Sequence, residues 1–299
     1  MSRPIRYQPE EWSVSFVTGR CIHSRYLLRP SPRTNAIVIG VLARALHRYE
    51  VKLFGVCFMS NHYHLLLSSK NAAALASFMQ YIGSNIARKI GRMHRWREKF
   101  WSRRYRASAV LDDAAQQDRM RYILSNSVKE GLVKHPRYWP GVHCYRHLVE
   151  RTPLSGIWID RTALSRNPKA PESEFTTRYQ VQLDTLPCFD DLSDIEYRQT
   201  IRELTDEAVA ACDDVLRFIG QKKILAQEPL ASPEQTSRSP APLCHSGCSQ
   251  LKREYVRAFR DFVAAYKQAY QRVMTSGLAL EFPPGSLPPT AWFGSLTPT

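Results

Sequence analysis

Negative charge is scarce in the first half of this chain. Residues 1–150 hold 25 Lys and Arg against 9 Asp and Glu, and residues 151–299 hold 17 against 18, so the formal net charge of +15 belongs to the N-terminal half. An excess of that size on one segment favours a polyanionic partner, of which nucleic acid is the commonest, and a need for solubility alone would not segregate it. Long apolar runs are missing too. None approaches the roughly 18 residues needed to cross a bilayer, so the sequence offers no membrane span. Paired cysteines are also absent: the seven are odd in number and scattered, and no leading segment has a signal-peptide layout. These features predict reduced thiols in a cytoplasmic protein. Cys244-His245-x-x-Cys248 has no matching second pair nearby and reads as structural rather than as half a zinc site.

A hydrophobic content of 43% over 299 residues suffices for a sizeable core. Trp12 to Thr18 alternates and predicts a first strand, and Ser31-Pro32 opens a helix running to about Tyr49. Val51 to Met59 and His62 to Ser68 read as two strands joined by a tight turn at Ser60-Asn61. Asn71 caps a second helix to about Met93, whose apolar stripe Leu75, Phe78, Met79, Ile82, Ile86 and Ile90 keeps helical spacing. Tyr105 to Leu111 reads as a fourth strand, and Asp112-Asp113 with Gln116 caps a third helix ending at Gly131. The order β-α-β-β-α-β-α predicts an α+β fold, a ferredoxin-like or RRM-like antiparallel sheet with helices on one face and strands one and three central. We divide the chain into a domain over 1–150 and a mainly helical extension over 151–299. In the extension Ser193 to Gly220 and Gln250 to Met274 look helical, and a Pro/Ser-rich linker spans about 228–242. The Pro-rich segment from Phe282 onward is expected to drape over a surface or stay loose.

Two histidines stand two apart in the third strand. His62 and His64 therefore project from one face while Tyr63 projects from the other. Two imidazoles on one face can share a divalent ion and leave positions for a ligand. On the third helix Tyr122 and Asn126 are four apart and project from one side. An asparagine carbonyl is a hard ligand acceptable to Mg²⁺ or Mn²⁺, and a phenol can attack a phosphate polarised by a metal.

Three stretches together resemble a known family: Met59-Ser60-Asn61-His62-Tyr63-His64-Leu65-Leu66-Leu67, Phe100-Trp101-Ser102-Arg103-Arg104-Tyr105, and Tyr122-Ile123-Leu124-Ser125-Asn126-Ser127-Val128 followed by Gly131-Leu132-Val133. Over about residues 12–148 the chain is similar to the single-tyrosine transposases of insertion sequences, in their REP-associated branch. These belong to the HUH superfamily, named for the His-hydrophobic-His motif that Tyr63 completes here. The resemblance implies that His62, His64 and Asn126 hold a Mg²⁺ or Mn²⁺ ion and that Tyr122 attacks DNA. It implies single-stranded DNA bearing REP-like hairpins as partner and a nucleoid-associated location. Relatives occur both as homodimers exchanging their tyrosine helix and as monomers. The chain departs from the family in carrying Ser60 where proline commonly precedes Asn-His, and Ser127 where proline commonly follows the asparagine.

Nine cations crowd residues 88–106: Arg88, Lys89, Arg92, Arg95, Arg97, Lys99, Arg103, Arg104 and Arg106, with Glu98 the one acid. Trp96, Phe100, Trp101 and Tyr105 are interleaved. The cations can neutralise phosphates, and aromatic faces such as Trp101 can stack unpaired bases. The same stretch also reads as a solvated basic helix end anchored to the core by at least one tryptophan. Two other readings stand beside strand transfer: a non-catalytic nucleic-acid-binding protein derived from such a transposase, and a zinc-dependent hydrolase, which would give Tyr122 no role.

Overall fold

Val14–Arg20, a β-rich run with Val14, Phe16 and Val17 buried, makes the first strand, β1. Ser31 accepts from the Thr34 amide and Pro32 occupies the first turn of Pro32–Arg48, α1. Val51–Phe58 (β2) and His62–Ser69 (β3) form the hairpin. Asn71 caps Ala72–Met93 (α2) through the Ala74 amide. Arg106–Val110 is β4, and Asp112 caps Asp113–Lys129 (α3) through the Ala115 amide. Gly131, at φ 67, ends α3 in the left-handed region. The computed structural model describes residues 5–212, 217–234, 242–276 and 281–287.

The sheet order is β2-β3-β1-β4, with β3 antiparallel to both β2 and β1, so β1 and β3 are central as the pattern required. The two faces differ in what covers them. Tyr63 packs on Trp101, whose indole N–H donates to the Gly83 carbonyl of α2 at 2.9 Å, so α2 lies over the Tyr63 face. The Tyr63 ring crosses the backbone of Gly19, where a Cβ would meet it at 2.4 Å, and only glycine leaves that space. The opposite face carries His64, against which the ring of Tyr122 from α3 packs.

Tyr145–Glu150 (α4) follows, then an antiparallel pair, Leu154–Ile159 (β5) and Thr176–Val181 (β6), flanking the short helix Arg161–Arg166 (α5). This pair was not predicted. Only Leu154, Gly156 and Trp158 of β5 face inward, and the middle one has no side chain, so the apolar alternation is too thin to read. Asp194–Ala210 (α6) starts at a capping box of Ser193 and Glu196. It stops well before Gly220, and Gln221–Leu225 (α7) is a separate turn. Tyr197, Ile201 and Leu204 of α6 join the same hydrophobic core as β1 to α3.

The early part of the expected linker is docked rather than free. Leu230 accepts from Arg25, Ala231 accepts from the Tyr26 amide, and Ser60 Oγ donates to Gln227 at 2.6 Å. Residues 235–241 of that linker lie outside the described residues. Cys244–His245 (β7) then adds a parallel strand to the free edge of β4, and Ser249–Ser276 (α8) follows. The start of the Pro-rich segment drapes: Gly285 accepts from the Gln8 amide at 3.0 Å, and Phe282 packs on Tyr266 of α8, while residues 288–299 lie outside the described residues. Cys21, Cys57, Cys144, Cys188, Cys244 and Cys248 form no disulfide. No helix among the described residues is long and apolar enough to cross a membrane.

Candidate active site

Strand pairing sets the site. Directly opposed residues of antiparallel strands share a face, so the pairs Arg20↔His62, Thr18↔His64 and Thr18↔Arg106 place the two histidines, Arg20 and Arg106 together. The His62 and His64 rings lie 4.9 Å apart, edge to face. The Tyr122 ring stands 5.1 Å from that of His64 in the same chain, nearly perpendicular. Asn126, one turn further along α3, is completely buried at 0% exposure, which for an amide demands partners.

Those partners are missing. Both ring nitrogens of His64 and both polar atoms of the Asn126 side chain are buried with no hydrogen-bond partner. Leaving such groups unsatisfied costs about 1–3 kcal/mol each. His62 is oriented by its neighbour. Asn61 Nδ2 donates to the Ser24 carbonyl at 3.1 Å, which leaves Asn61 Oδ1 to accept from His62 Nδ1 at 2.6 Å. The His62 proton is thereby held on Nδ1, and Nε2 keeps its lone pair. The donor set of two imidazoles and one amide oxygen could hold a divalent ion, and its orphaned atoms are what such an ion would satisfy. Among the described residues no cluster of three or more His, Cys, Asp and Glu gathers for a metal, so a zinc-type site built from those residues is not in view.

The field of the site is cationic and dry. Burial, helped by Arg20, pushes His62 down to about 4 although Asn126 opposes it. Burial, with His62, Arg20 and Arg119 adding, holds His64 well below its ordinary range. Both rings are therefore neutral at pH 7, the state in which imidazole coordinates. Burial also raises the Tyr122 phenol, with Glu130 adding, while Arg119 and Asn126 oppose.

Several residues of the site escaped the sequence reading. Phe16 stacks on His64 at 5.4 Å and meets Tyr122 edge-on at 5.7 Å, which only the register of β1 against β3 reveals. Arg119 lies 5.4 Å from the Tyr122 ring, and its position one turn before Tyr122 on α3 was a legible signal. Asn61 sat in the quoted motif, but its role needs Ser24.

The basic stretch has a mixed fate. Arg88, Arg92, Arg95, Arg97, Lys99, Arg103, Arg104 and Arg106 are exposed, whereas Lys89 lies over the Trp158 ring at 4.2 Å. No ion pair among the described residues draws on this cluster. Trp101 is committed on one edge to Gly83 and on its ring to Tyr63, so it serves as an anchor of the stretch. Trp96 donates to the Lys99 carbonyl at 3.3 Å and carries Arg25 on its face.

Residues 25–126 match the family model described as transposase, IS200 like. Over that stretch the chain is similar to the IS200-like transposases. The match takes in the histidine pair, Tyr122 and Asn126. Two solved structures are also similar in part. A REP-associated tyrosine transposase bound to a REP hairpin is 18% identical, with a TM-score of 0.43, covering 50% of this chain and 87% of that one. A protein of Deinococcus radiodurans R1 assigned as a transposase is 13% identical, with a TM-score of 0.30, covering 41% and 95% respectively. None of the curated proteins compared matches the chain.

Proposed function

We propose that the protein is a metal-dependent DNA strand transferase that cleaves single-stranded DNA beside hairpins through a 5′-phosphotyrosine. The observation that carries this reading is the approach of Tyr122 to His64 of its own chain, 5.1 Å between rings, around buried polar atoms of His64 and Asn126 that lack partners. A zinc hydrolase reading leaves that tyrosine unexplained. The match to IS200-like transposases and the hairpin preference implied by the resemblance support DNA as the partner.

His62, His64 and Asn126 would hold the ion. When bound, a divalent cation supplies charge stabilisation at the scissile phosphate and orients it for in-line attack. Tyr122 Oη forms the new bond to phosphorus as the bond to the 3′ oxygen breaks. The phenolic proton ends on the departing oxygen, giving a free 3′-OH. Reversal by that hydroxyl or by another joins strands, and the phosphoester count is conserved without a nucleotide cofactor. Asn61 fixes the His62 tautomer, Phe16 holds the His64 ring, and Arg119 lowers the cost of a phenolate at Tyr122. The exposed cations from Arg88 to Arg106 would track the DNA backbone, with Arg106 nearest the histidines.

The test is incubation of the purified chain with a 5′- or 3′-labelled hairpin DNA carrying single-stranded flanks, with Mg²⁺ or Mn²⁺. A denaturation-resistant protein–DNA adduct on the 3′ fragment, absent in Tyr122→Phe, is the expected result. Cleavage without an adduct would overturn the tyrosine chemistry, and binding without cleavage would favour the non-catalytic reading.

A further inference from the structure

A second basic feature sits beside Tyr122, with one wall from α3 and the other from residues 242–252, beyond the stretch that matches the transposase family. β7 lies along β4 with His245 opposite Val110, and this opens a cleft between β7, the first turns of α3 and the start of α8. The cleft has a volume of about 160 Å³ and is walled by Arg119, His245 and Lys252, with Asp118 its single acid. Asp118 is already neutralised by Arg121 at 3.1 Å, and the Nε of Arg119 is buried without a partner. Ser246 is taken up by Asp112, which also accepts from the amides of Gly247 and Cys248, so the turn that carries His245 is tied to the cap of α3.

The cleft adjoins the candidate active site through Arg119 and His245. His245 meets the Phe16 ring edge-on at 5.8 Å, and Arg119 lies 5.5 Å from the same ring and 5.4 Å from that of Tyr122. Phe16 is the ring that stacks on His64. Clefts for drug-sized ligands run to about 300–1,000 Å³, so this one suits a single anionic group rather than a whole nucleotide.

We propose that the β7–α3–α8 cleft binds a backbone phosphate of the DNA strand, close to the phosphate that Tyr122 attacks. Lys252 and Arg119 supply the charge and His245 a ring N–H, which makes the C-terminal segment a working part of the substrate track. The assignment rests on the strand-transfer reading for its choice of DNA over a free anion. Among the described residues Cys244-His245 gathers no metal-binding cluster, and the motif's histidine stands in the cleft wall instead.

Lys252 is exposed, so its replacement leaves the fold intact. The experiment measures binding of a hairpin DNA with single-stranded flanks to the full chain in EDTA, across a salt series. The variants are Lys252→Gln and His245→Gln, with Lys70→Gln, whose lysine pairs with Glu50 at 2.9 Å, as control. Lys252→Gln is expected to weaken binding about threefold to tenfold and to lower the salt slope by about 0.7, the loss of one phosphate contact on a single strand. His245→Gln is expected to weaken binding by less, and Lys70→Gln not at all. A salt slope for Lys252→Gln equal to that of Lys70→Gln overturns the proposal. So does a shift of the His245 ring resonances with inorganic phosphate while DNA affinity stays unchanged in Lys252→Gln, because the occupant is then a free anion. Adduct formation is scored separately. Slope loss without any adduct sinks strand transfer and leaves the cleft standing, and an adduct with unchanged slope does the reverse.

Discussion

The two sides of β3 obey opposite rules. On one side Tyr63, Leu65 and Leu67 are buried among apolar groups and the α2 layer, and every contact serves cohesion. On the other side His64 and Asn126 are just as inaccessible, yet their polar atoms make no well-formed hydrogen bond, although Asn126 lies close enough to His62 and Tyr122 to influence both. Bare buried atoms occur singly elsewhere, as at the Tyr81 hydroxyl of α2, whereas His64 and Asn126 leave four between them beside Tyr122. The unpaid desolvation on the α3 side marks the place where something other than stability shaped the chain.

The sharpest way to break this comparison is chemical. Tyr122→Phe should abolish the covalent DNA adduct while leaving DNA affinity within about twofold, since only the attacking oxygen is lost. Persistence of the adduct, seen on a denaturing gel, would move the nucleophile elsewhere. Next comes cohesion. Leu65→Ala should cost about 2–5 kcal/mol in urea unfolding, as for other fully buried leucines.

Acid should expose the polar side. His62 and His143 are both pushed down to about 4 by burial, against an ordinary 6.5. The unfolded chain therefore binds more protons, and the stability these rings contribute is complete above pH 6.5. It is lost progressively as pH falls from 6.5 towards 4, by an amount on the order of a few kcal/mol. Urea midpoints measured from pH 7.5 to 4 should fall over that window, and a midpoint independent of pH would contradict the burial of these rings.

Asn61→Ala removes the acceptor that fixes the His62 tautomer. Affinity for Mn²⁺, read by isothermal titration, should fall about 10–100-fold, the usual cost of losing such a support. An unchanged affinity would mean that His62 is not a ligand. The smallest effect is the most diagnostic of the contrast. His64→Leu in metal-free protein should be neutral or raise stability by up to about 2 kcal/mol, because a similar volume is kept and two orphaned nitrogens vanish. The same strand would then hold one substitution that loosens the protein and one that does not, a single position apart.

The sequence made the first half legible because each element there announces itself twice. α1, α2 and α3 each combine an apolar stripe with a side-chain cap, at Ser31, Asn71 and Asp112, and β3 is a short apolar run set off by the turn at Ser60-Asn61. The histidine pair and the Tyr122–Asn126 spacing were legible for the same reason, since both follow from the period of a single element. What spans elements was not. Phe16 against His64 depends on strand register, Asn61 on Ser24, and His245 on a strand more than 130 residues from the edge it joins. β5 and β6 stayed hidden because their support comes from α1, where Gly40 lets the backbone of Ile157 approach closely.

One feature of α3 carries further. Tyr122 and Asn126, the proposed nucleophile and amide ligand, ride on the same rod one turn apart, and the rod is clamped at its start by Asp112. A disturbance that tilts or slides this helix displaces both chemical groups in concert. On the strand-transfer reading proposed above, such a tilt would carry the phenol and the amide away from the two imidazoles of β3 together, so the proposed centre would lose both groups in one movement.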